Sequence, residues 1–410
     1  MKQLEVRFTH GPTKAQKVGI LAEDRRRIYF EYDSEFLATG WSLSPFHLPF
    51  EPGLFEHTDY QFGPLPGLFD DSLPDGWGLL LMDRYFRSLR LDPAEVSPLD
   101  RLSWLGTRTM GALTYHPPTD AEDLDCSVFD LHDLARQSQN ILSGAAEEVL
   151  PQLLRAGGSP GGARPKVLVG FNPATGNIVS GEDELADGFE HWIVKFSPDA
   201  DSADAGPIEY AYSLMAAGAG VDMPETRLFE TREGDRFFGV KRFDRRGNRR
   251  FFVHTFGNLI QANFRVPSAD YADLLKATSL LTRDHQEVVR TFRRMVFNVF
   301  AHNRDDHVKN SAFLLDATTG DWRLTPAYDL LFTTGPGGEH SMTVAGEGRN
   351  PDRSLMLQLA RQTDISEREA ERIIEQVRSA VSSWPDHASK GGVSAAGTKR
   401  IGKSIDATLC

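Results

Sequence analysis

The stretch FAHNRDDHVKN, residues 300–310, sets Asp305, Asp306, His307 and Asn310 directly behind an apolar helical pattern. In the preceding EVVRTFRRMVFNVFAHN, Val288, Phe292, Met295, Val296, Val299 and Phe300 recur at helical spacing. Phosphoryl transfer to a hydroxyl needs an acceptor for the substrate proton and oxygen ligands for magnesium. Kinase-like catalytic loops set an Asp and an Asn five positions apart for those jobs. Asp305 and Asn310 have that spacing, and Arg304 precedes the Asp. Asp329 follows within LTPAYDLL (324–331), a second hard oxygen donor of the kind magnesium takes. Asp and Asn are also ordinary turn residues. His302 and His307 with Asp306 offer a transition-metal alternative, although histidines five apart do not share a helical face. On these residues alone a turn, a metal site and a catalytic loop all stay open, and Asp305 and Asp306 are equal candidates.

The chain around this stretch has 410 residues, too many for one compact core, so two or three domains are expected. Its composition, 40% hydrophobic and 25% charged, is that of a soluble globular protein. The two cysteines, Cys126 and Cys410, lie far apart, which argues against a disulfide framework and fits a reducing cytoplasm. The N-terminal MKQLEVRFTHG lacks a signal-peptide apolar core, and runs such as GLLLM (78–82) are too short to span a bilayer. A net charge of −13 argues against broad nucleic-acid affinity, which needs clustered cationic surface.

Along the chain, LEVRF (4–8), KVGILA (17–22) and RIYFEYD (27–33) read as strands, with AEDRRR near a hairpin turn. Loops at 41–77 precede a helix around GWGLLLMDRYFRSLR, and the acidic PPTDAEDLDC (117–126) reads as a connection. A helical segment at 128–155 leads into the loop RAGGSPGGARPK (155–166), then strands at VLVGFN (167–172) and HWIVKFS (191–197). The helix PIEYAYSLMAAGAGV (207–221) and strands at TRLFE, FFGVKRF and FFVHTF come next, and 268–302 is helical. A late helix starts at Ser366, whose capping box with Glu369 precedes Ile373, Ile374, Val377 and Val381. The small, polar tail from 389 is expected to be mobile. The fold expected is α+β: a β-rich N-terminal lobe on a mostly helical C-terminal lobe, in protein-kinase-like fashion, with the ligand in the cleft between them. The divisions expected are 1–125, 126–250, 251–388 and a flexible 389–410.

Two further pieces bear on chemistry. In the loop at 155–166, Gly157, Gly158, Gly161 and Gly162 flank Ser159 and leave backbone amides free to approach an anion. The loop matches neither the Walker pattern nor a strict GxGxxG, and it ends in a cation followed by a strand. Lys195 lies within the apolar strand WIVKF, where a buried ammonium must be paired. A kinase-like lobe uses such a lysine on the α- and β-phosphates, supported by a helix glutamate, and Glu209 is the candidate partner. An edge-strand lysine facing solvent is the plain alternative.

Taken in order, these residues resemble the HipA family, serine/threonine kinase toxins of bacterial toxin–antitoxin systems. GLFDDSLPDGWGLLLMDRY (67–85), SPGGARPK (159–166), HWIVKF, VKRFDR (240–245), NRDDHVKN (303–310) and LTPAYDLL carry the resemblance. It implies that Asp305 is the catalytic base, that Asn310 and Asp329 bind magnesium, and that Lys195 anchors ATP phosphates. It further implies that Gly161, Gly162, Ala163 and Lys166 cover the ATP, that Lys241, Arg242 and Phe243 form the adenine hinge, and that His307 and Lys309 line the phosphate site. Ser159 matches the serine that family members autophosphorylate, silencing the kinase. The family's protein substrates, where known, are aminoacyl-tRNA synthetases, and its partner is a small helix-turn-helix antitoxin (HipB-like) through which operator DNA is reached. Arg245, Arg246, Arg249, Arg250 and the tail cations could assist at operator DNA, but an ordinary solvated face is the preferred reading of those charges. The alternative function is a catalytically weak nucleotide-binding module that acts with a DNA-binding antitoxin in transcriptional regulation. With Asn310, Asp329 and Lys195 as companions, Asp305 becomes the leading acid and Asp306 a helper or surface residue.

Overall fold

The computed structural model describes residues 1–119, 130–146, 149, 151–156, 162–181, 184–197 and 203–409. Ser159, Gly161, Cys126 and Cys410, and most of the acidic 117–126 connection, lie outside the described residues.

The N-terminal part is an antiparallel sheet of β1 (Lys2–Gly11), β2 (Lys14–Asp24), β3 (Arg27–Tyr32), β4 (Leu54–Glu56) and β5 (Leu113–His116), in the order β4-β3-β2-β1-β5. Period-two burial along β1 sends Leu4, Val6 and Phe8 into the core. The β2–β3 hairpin turns at Arg25 and Arg26, both at positive φ (49° and 68°), the twist that a two-residue hairpin requires. The expected helix near residue 76 is present as Gly76–Ser88.

A second antiparallel sheet holds β6 (Lys166–Phe171), β7 (Ile178–Ser180), β8 (Glu190–Lys195), β9 (Thr226–Glu230) and β10 (Arg236–Lys241), in the order β7-β6-β8-β10-β9. Helix Ala205–Gly218 packs against it. Trp77, Leu81 and Met82 of the N-terminal helix share an apolar cluster with Val167, Val169, Trp192, Val194 and Phe196 of this sheet. The segment read as helical at 128–155 comprises two helices, Leu131–Leu142 and Pro151–Ala156.

Beyond residue 252 helices dominate, and a short three-stranded sheet (Phe252–Thr255, Ala312–Leu315, Trp322–Leu324) lines their inner side. The expected 268–302 helix divides into Tyr271–Thr282 and His285–Phe300, because Arg283 turns left-handed and Asp284 caps the second helix through Gln286 N. Ser366 caps Glu367–Ser382 by accepting from Glu369 N at 3.3 Å, as the sequence pattern requires. The architecture is thus mixed α and β, β-rich at the N-terminal side and helical at the C-terminal side. No described helix is long and apolar enough to cross a membrane.

Two expectations need correction. The segment from 389 is not a mobile tail: Ala395–Leu409 is a helix that buries Gly397, Ile401 and Ile405. Its isoleucines, four apart, form one apolar stripe against the helical core, a spacing hidden by the surrounding small and polar residues. Nor are all four arginines at 245–250 solvated. Arg245 donates to Asp244 Oδ2 (2.7 Å) and to the carbonyls of Gly111 and Thr109 (both 3.0 Å). Arg250 reaches Thr107, Thr109 and Gly111 carbonyls at 2.7–2.9 Å. These loop carbonyls lack sheet partners and draw the guanidinium groups inward. Arg246 and Arg249 stay exposed.

Asp244 is the centre of this joint. It accepts two bonds from Arg242 (2.9 and 2.8 Å), one from Arg245 and one from Gly111 N (2.8 Å). Burial alone would raise its carboxyl, but Arg242 and Arg245 outweigh that and hold it well below the usual carboxylate range. Asp244→Ala leaves two buried cations without their counter-charge and should cost about 3–5 kcal/mol in urea unfolding. A loss under about 1 kcal/mol, the range of an exposed pair, would contradict this account.

Candidate active site

Antiparallel register sets Lys166 of β6 directly opposite Lys195 of β8, and both side chains are buried at 6% exposure. Like charges facing one another across a sheet repel, so the pair requires compensating anions. Lys195 Nζ donates to Glu209 Oε1 (2.5 Å) from the first turns of helix Ala205–Gly218, and also to Asp329 Oδ1. Arg164 donates to Glu209 Oε2 and, through Nε, to the Phe196 carbonyl (2.8 Å). Burial would lower the Lys195 ammonium, but Asp329 and Glu209 outweigh it, so its pKa is raised and the charge retained. Lys166 is pushed down to about 8 by burial and by Lys195. Burial would raise Asp329, yet Lys195 and Lys166 hold it well below its ordinary value.

The catalytic-loop candidates hang from the end of helix His285–Phe300. Asn303 Nδ2 donates to Asn298 Oδ1 (3.0 Å), and Arg304 N donates to Thr333 Oγ1 (2.9 Å). Asp306 is fully buried: it accepts from Tyr271 Oη (2.7 Å) and Ser341 N (2.9 Å), and lies 2.9 Å from His340 Nδ1. It is therefore a brace for the loop and not a surface residue, and it is not free to bind a metal with His302 and His307. Asp305, by contrast, is exposed. Protein crowding its carboxyl pushes the pKa up, Asp329 and Asp306 add to this, and His307 opposes it. Asn310 Nδ2 donates to the Asp305 carbonyl (2.6 Å), which ties the two ends of the loop together.

His307 caps the short helical turn Val308–Asn310 through Lys309 N (3.2 Å). Lys309 Nζ donates to Asp70 (3.2 Å) and lies 4.9 Å from the centre of the Phe264 ring. Burial lowers this ammonium, but Asp70, Asp71 and Asp75 outweigh it and raise the pKa. Tyr328, next to Asp329, donates its hydroxyl to the Lys309 carbonyl (2.6 Å) and so couples the two segments. Asp329 itself sits at φ 57°.

One cleft collects most of the sequence candidates: Gly162, Lys166, Lys195, Glu209, Lys241, Arg242, Phe243, His307, Lys309, Asn310 and Asp329 line it. Ala163 is exposed and, like Asp305, is not among the lining residues. Two hinge side chains are already committed: Lys241 pairs with Glu190 (2.6 Å), and Arg242 is bound to Asp244. The Lys241 and Arg242 amides are also in use, donating to the Glu225 and His191 carbonyls (both 2.9 Å). Sequence reasoning missed Arg164, Asp75, Tyr328 and the Tyr271–Asp306–His340 brace. Arg164 stood inside the quoted loop motif, whereas the brace joins residues more than 30 positions apart and left no local signal.

The donor set suits a magnesium–nucleotide ligand. Asp329 is an ionised carboxylate, Asn310 donates through its amide nitrogen and so leaves its oxygen as the acceptor, and two lysines supply charge for phosphates.

Sequence comparison with curated proteins finds no match. Residues 12–116 match the HipA N-terminal domain family, and residues 158–384, more than half of the chain, match the HipA-like C-terminal domain family. Among solved structures, a chain of the Shewanella oneidensis MR-1 toxin–antitoxin complex of HipA, HipB and operator DNA superposes with a TM-score of 0.74 at 14% identity, covering 99% of this chain and 96% of that one. The Helicobacter pylori proinflammatory kinase CtkA overlaps at a TM-score of 0.34 and 12% identity, over 54% of this chain and 90% of its own, too partial a likeness to carry weight. The architecture of Shewanella HipA and both family matches agree: this chain belongs to the HipA family.

Proposed function

We propose that the chain is a HipA-type toxin kinase of the cytoplasm that transfers the ATP γ-phosphate to a serine or threonine hydroxyl of a protein, with an aminoacyl-tRNA synthetase as the substrate class the family suggests. The observation that supports this best is the Glu209–Lys195–Asp329 chain of ion pairs in the same cleft as Asn310, whose amide nitrogen donates to the Asp305 carbonyl. In this reading Lys195 and Lys166 hold nucleotide phosphates, with His307 and Lys309 near them. Glu209 and Arg164 keep Lys195 in place. Asn310 and Asp329 would hold magnesium, which spreads the negative charge of the transferring group.

Asp305 takes the proton of the attacking hydroxyl while the new oxygen–phosphorus bond forms and the bond to ADP breaks. Its carboxyl pKa, raised mainly by burial, makes it a better base than a fully solvated aspartate. Asp306 and Asn310 fix the loop backbone around it. Ser159 is proposed as the autophosphorylated residue of the loop that Gly161 and Gly162 belong to. The HipB and operator DNA in the Shewanella complex support a HipB-like antitoxin as the partner, with DNA reached through it. A weak binding module would not need the charged set of Lys195, Glu209 and Asp329 to be complete.

Two outcomes test the reading. Asp305→Asn should lower the turnover of γ-phosphate transfer by about 10²–10⁴-fold while the melting temperature stays at the wild-type value. Unchanged turnover in a folded variant would remove Asp305 from the role. Lys166 loses its charge as pH rises through about 8. Calorimetric ATP affinity should therefore weaken by about tenfold above that pH, and Lys166→Arg should abolish the dependence. A flat wild-type profile between pH 7 and 9 would count against Lys166 as a phosphate ligand.

A further inference from the structure

The cleft is not walled by the kinase-like parts alone. The segment 67–77 of the N-terminal domain lies between three of its components. Asp71 accepts from Thr255 N (2.8 Å), Thr255 Oγ1 (2.7 Å) and Asn258 Nδ2 (2.8 Å), which anchors the segment to the helical side. Gly162, four residues before Lys166, is the last glycine of the Gly-rich loop, and it is held here. Asp75 Oδ1 accepts from Gly162 N, and Trp77 N returns a bond to the Gly162 carbonyl (3.1 Å). Trp77 Nε1 donates to the Lys166 carbonyl (3.2 Å). A Cβ on Gly76, at φ 46°, would come within 2.5 Å of the Gly162 oxygen, so the approach is as close as glycine permits. The other Asp75 oxygen faces Lys309 of the catalytic loop at 3.9 Å. At the hinge end Met110, Ala112 and Leu113 also line the cleft.

We propose that the N-terminal β-domain completes the nucleotide site, with Asp75 as a positioning residue that fixes the exit of the Gly-rich loop and faces Lys309 of the catalytic loop. This rests on the kinase reading. A glycine backbone left free must be ordered each time nucleotide binds, and a charge-assisted bond from the Gly162 amide removes that cost at this residue in advance. The same contacts expose Gly162 and the start of β6 to anything that moves segment 67–77.

The test compares Asp75→Ala with Asp75→Asn in the full chain. Asparagine keeps an oxygen for the Gly162 amide and removes the charge facing Lys309. Asp75→Ala should raise KM for ATP by about tenfold and speed amide exchange in peptides covering 73–80 and 162–168. Asp75→Asn should restore the slow exchange and most of KM while leaving kcat reduced. Unchanged exchange and KM in Asp75→Ala would overturn the proposal. Should the alanine variant fail to fold, wild-type kcat, KM and exchange in Asp75→Asn would overturn it equally. If the wild-type protein transfers no phosphate, the kinase reading falls by itself. Amide exchange without nucleotide then decides the Asp75 contact: faster exchange in the alanine variant supports it, and unchanged exchange removes it.

Discussion

A lysine ammonium at 6% exposure cannot stand alone, and the candidate site is organised around that constraint. Lys195 takes one carboxylate from the helix after its own strand and another from a segment 134 residues downstream. The first contact fixes helix Ala205–Gly218 against the second sheet. The second draws the segment carrying Asp329 across the cleft, and Tyr328 passes that position on to the 303–310 loop. Placing Lys166 opposite Lys195 raises the demand for negative charge further. Buried charge at this density is costly to stability, and the proposed kinase function accounts for it as a site for nucleotide phosphates.

The two adjacent acids of the opening stretch show how environment divides identical chemistry. Asp306 is enclosed and satisfied by a tyrosine, a histidine and a backbone amide, so it holds the loop. Asp305 has solvent on one side and a raised carboxyl, the conditions for accepting a proton. The N-terminal domain adds a second layer of the same logic, with three aspartates, Asp70, Asp71 and Asp75, raising the Lys309 ammonium that burial would lower.

Much of this was legible from sequence because the signals are local or regularly spaced. Strand alternation in β1, the apolar period of His285–Phe300 and the Ser366 cap each need only a short window. The five-residue step from Asp305 to Asn310 is equally local, and the structure joins those residues directly. What stayed hidden depends on tertiary partners. The inward turn of Arg245 and Arg250 follows from carbonyls near residue 110, and the C-terminal helix shows its stripe only through two isoleucines. Asp306 looked like a dispensable neighbour because His340 and Ser341, which it holds, are 34 and 35 positions away.

The central claim is that the Lys195 cluster serves phosphoryl transfer. Its most direct test is magnesium-dependent transfer of labelled γ-phosphate from ATP by the purified chain, measured beside Lys195→Met at matched melting temperature. The account predicts that label moves to protein with the wild type and is lost with the variant. Equal labelling by both proteins, or none by a folded wild type supplied with ATP, magnesium and protein substrates, would contradict it.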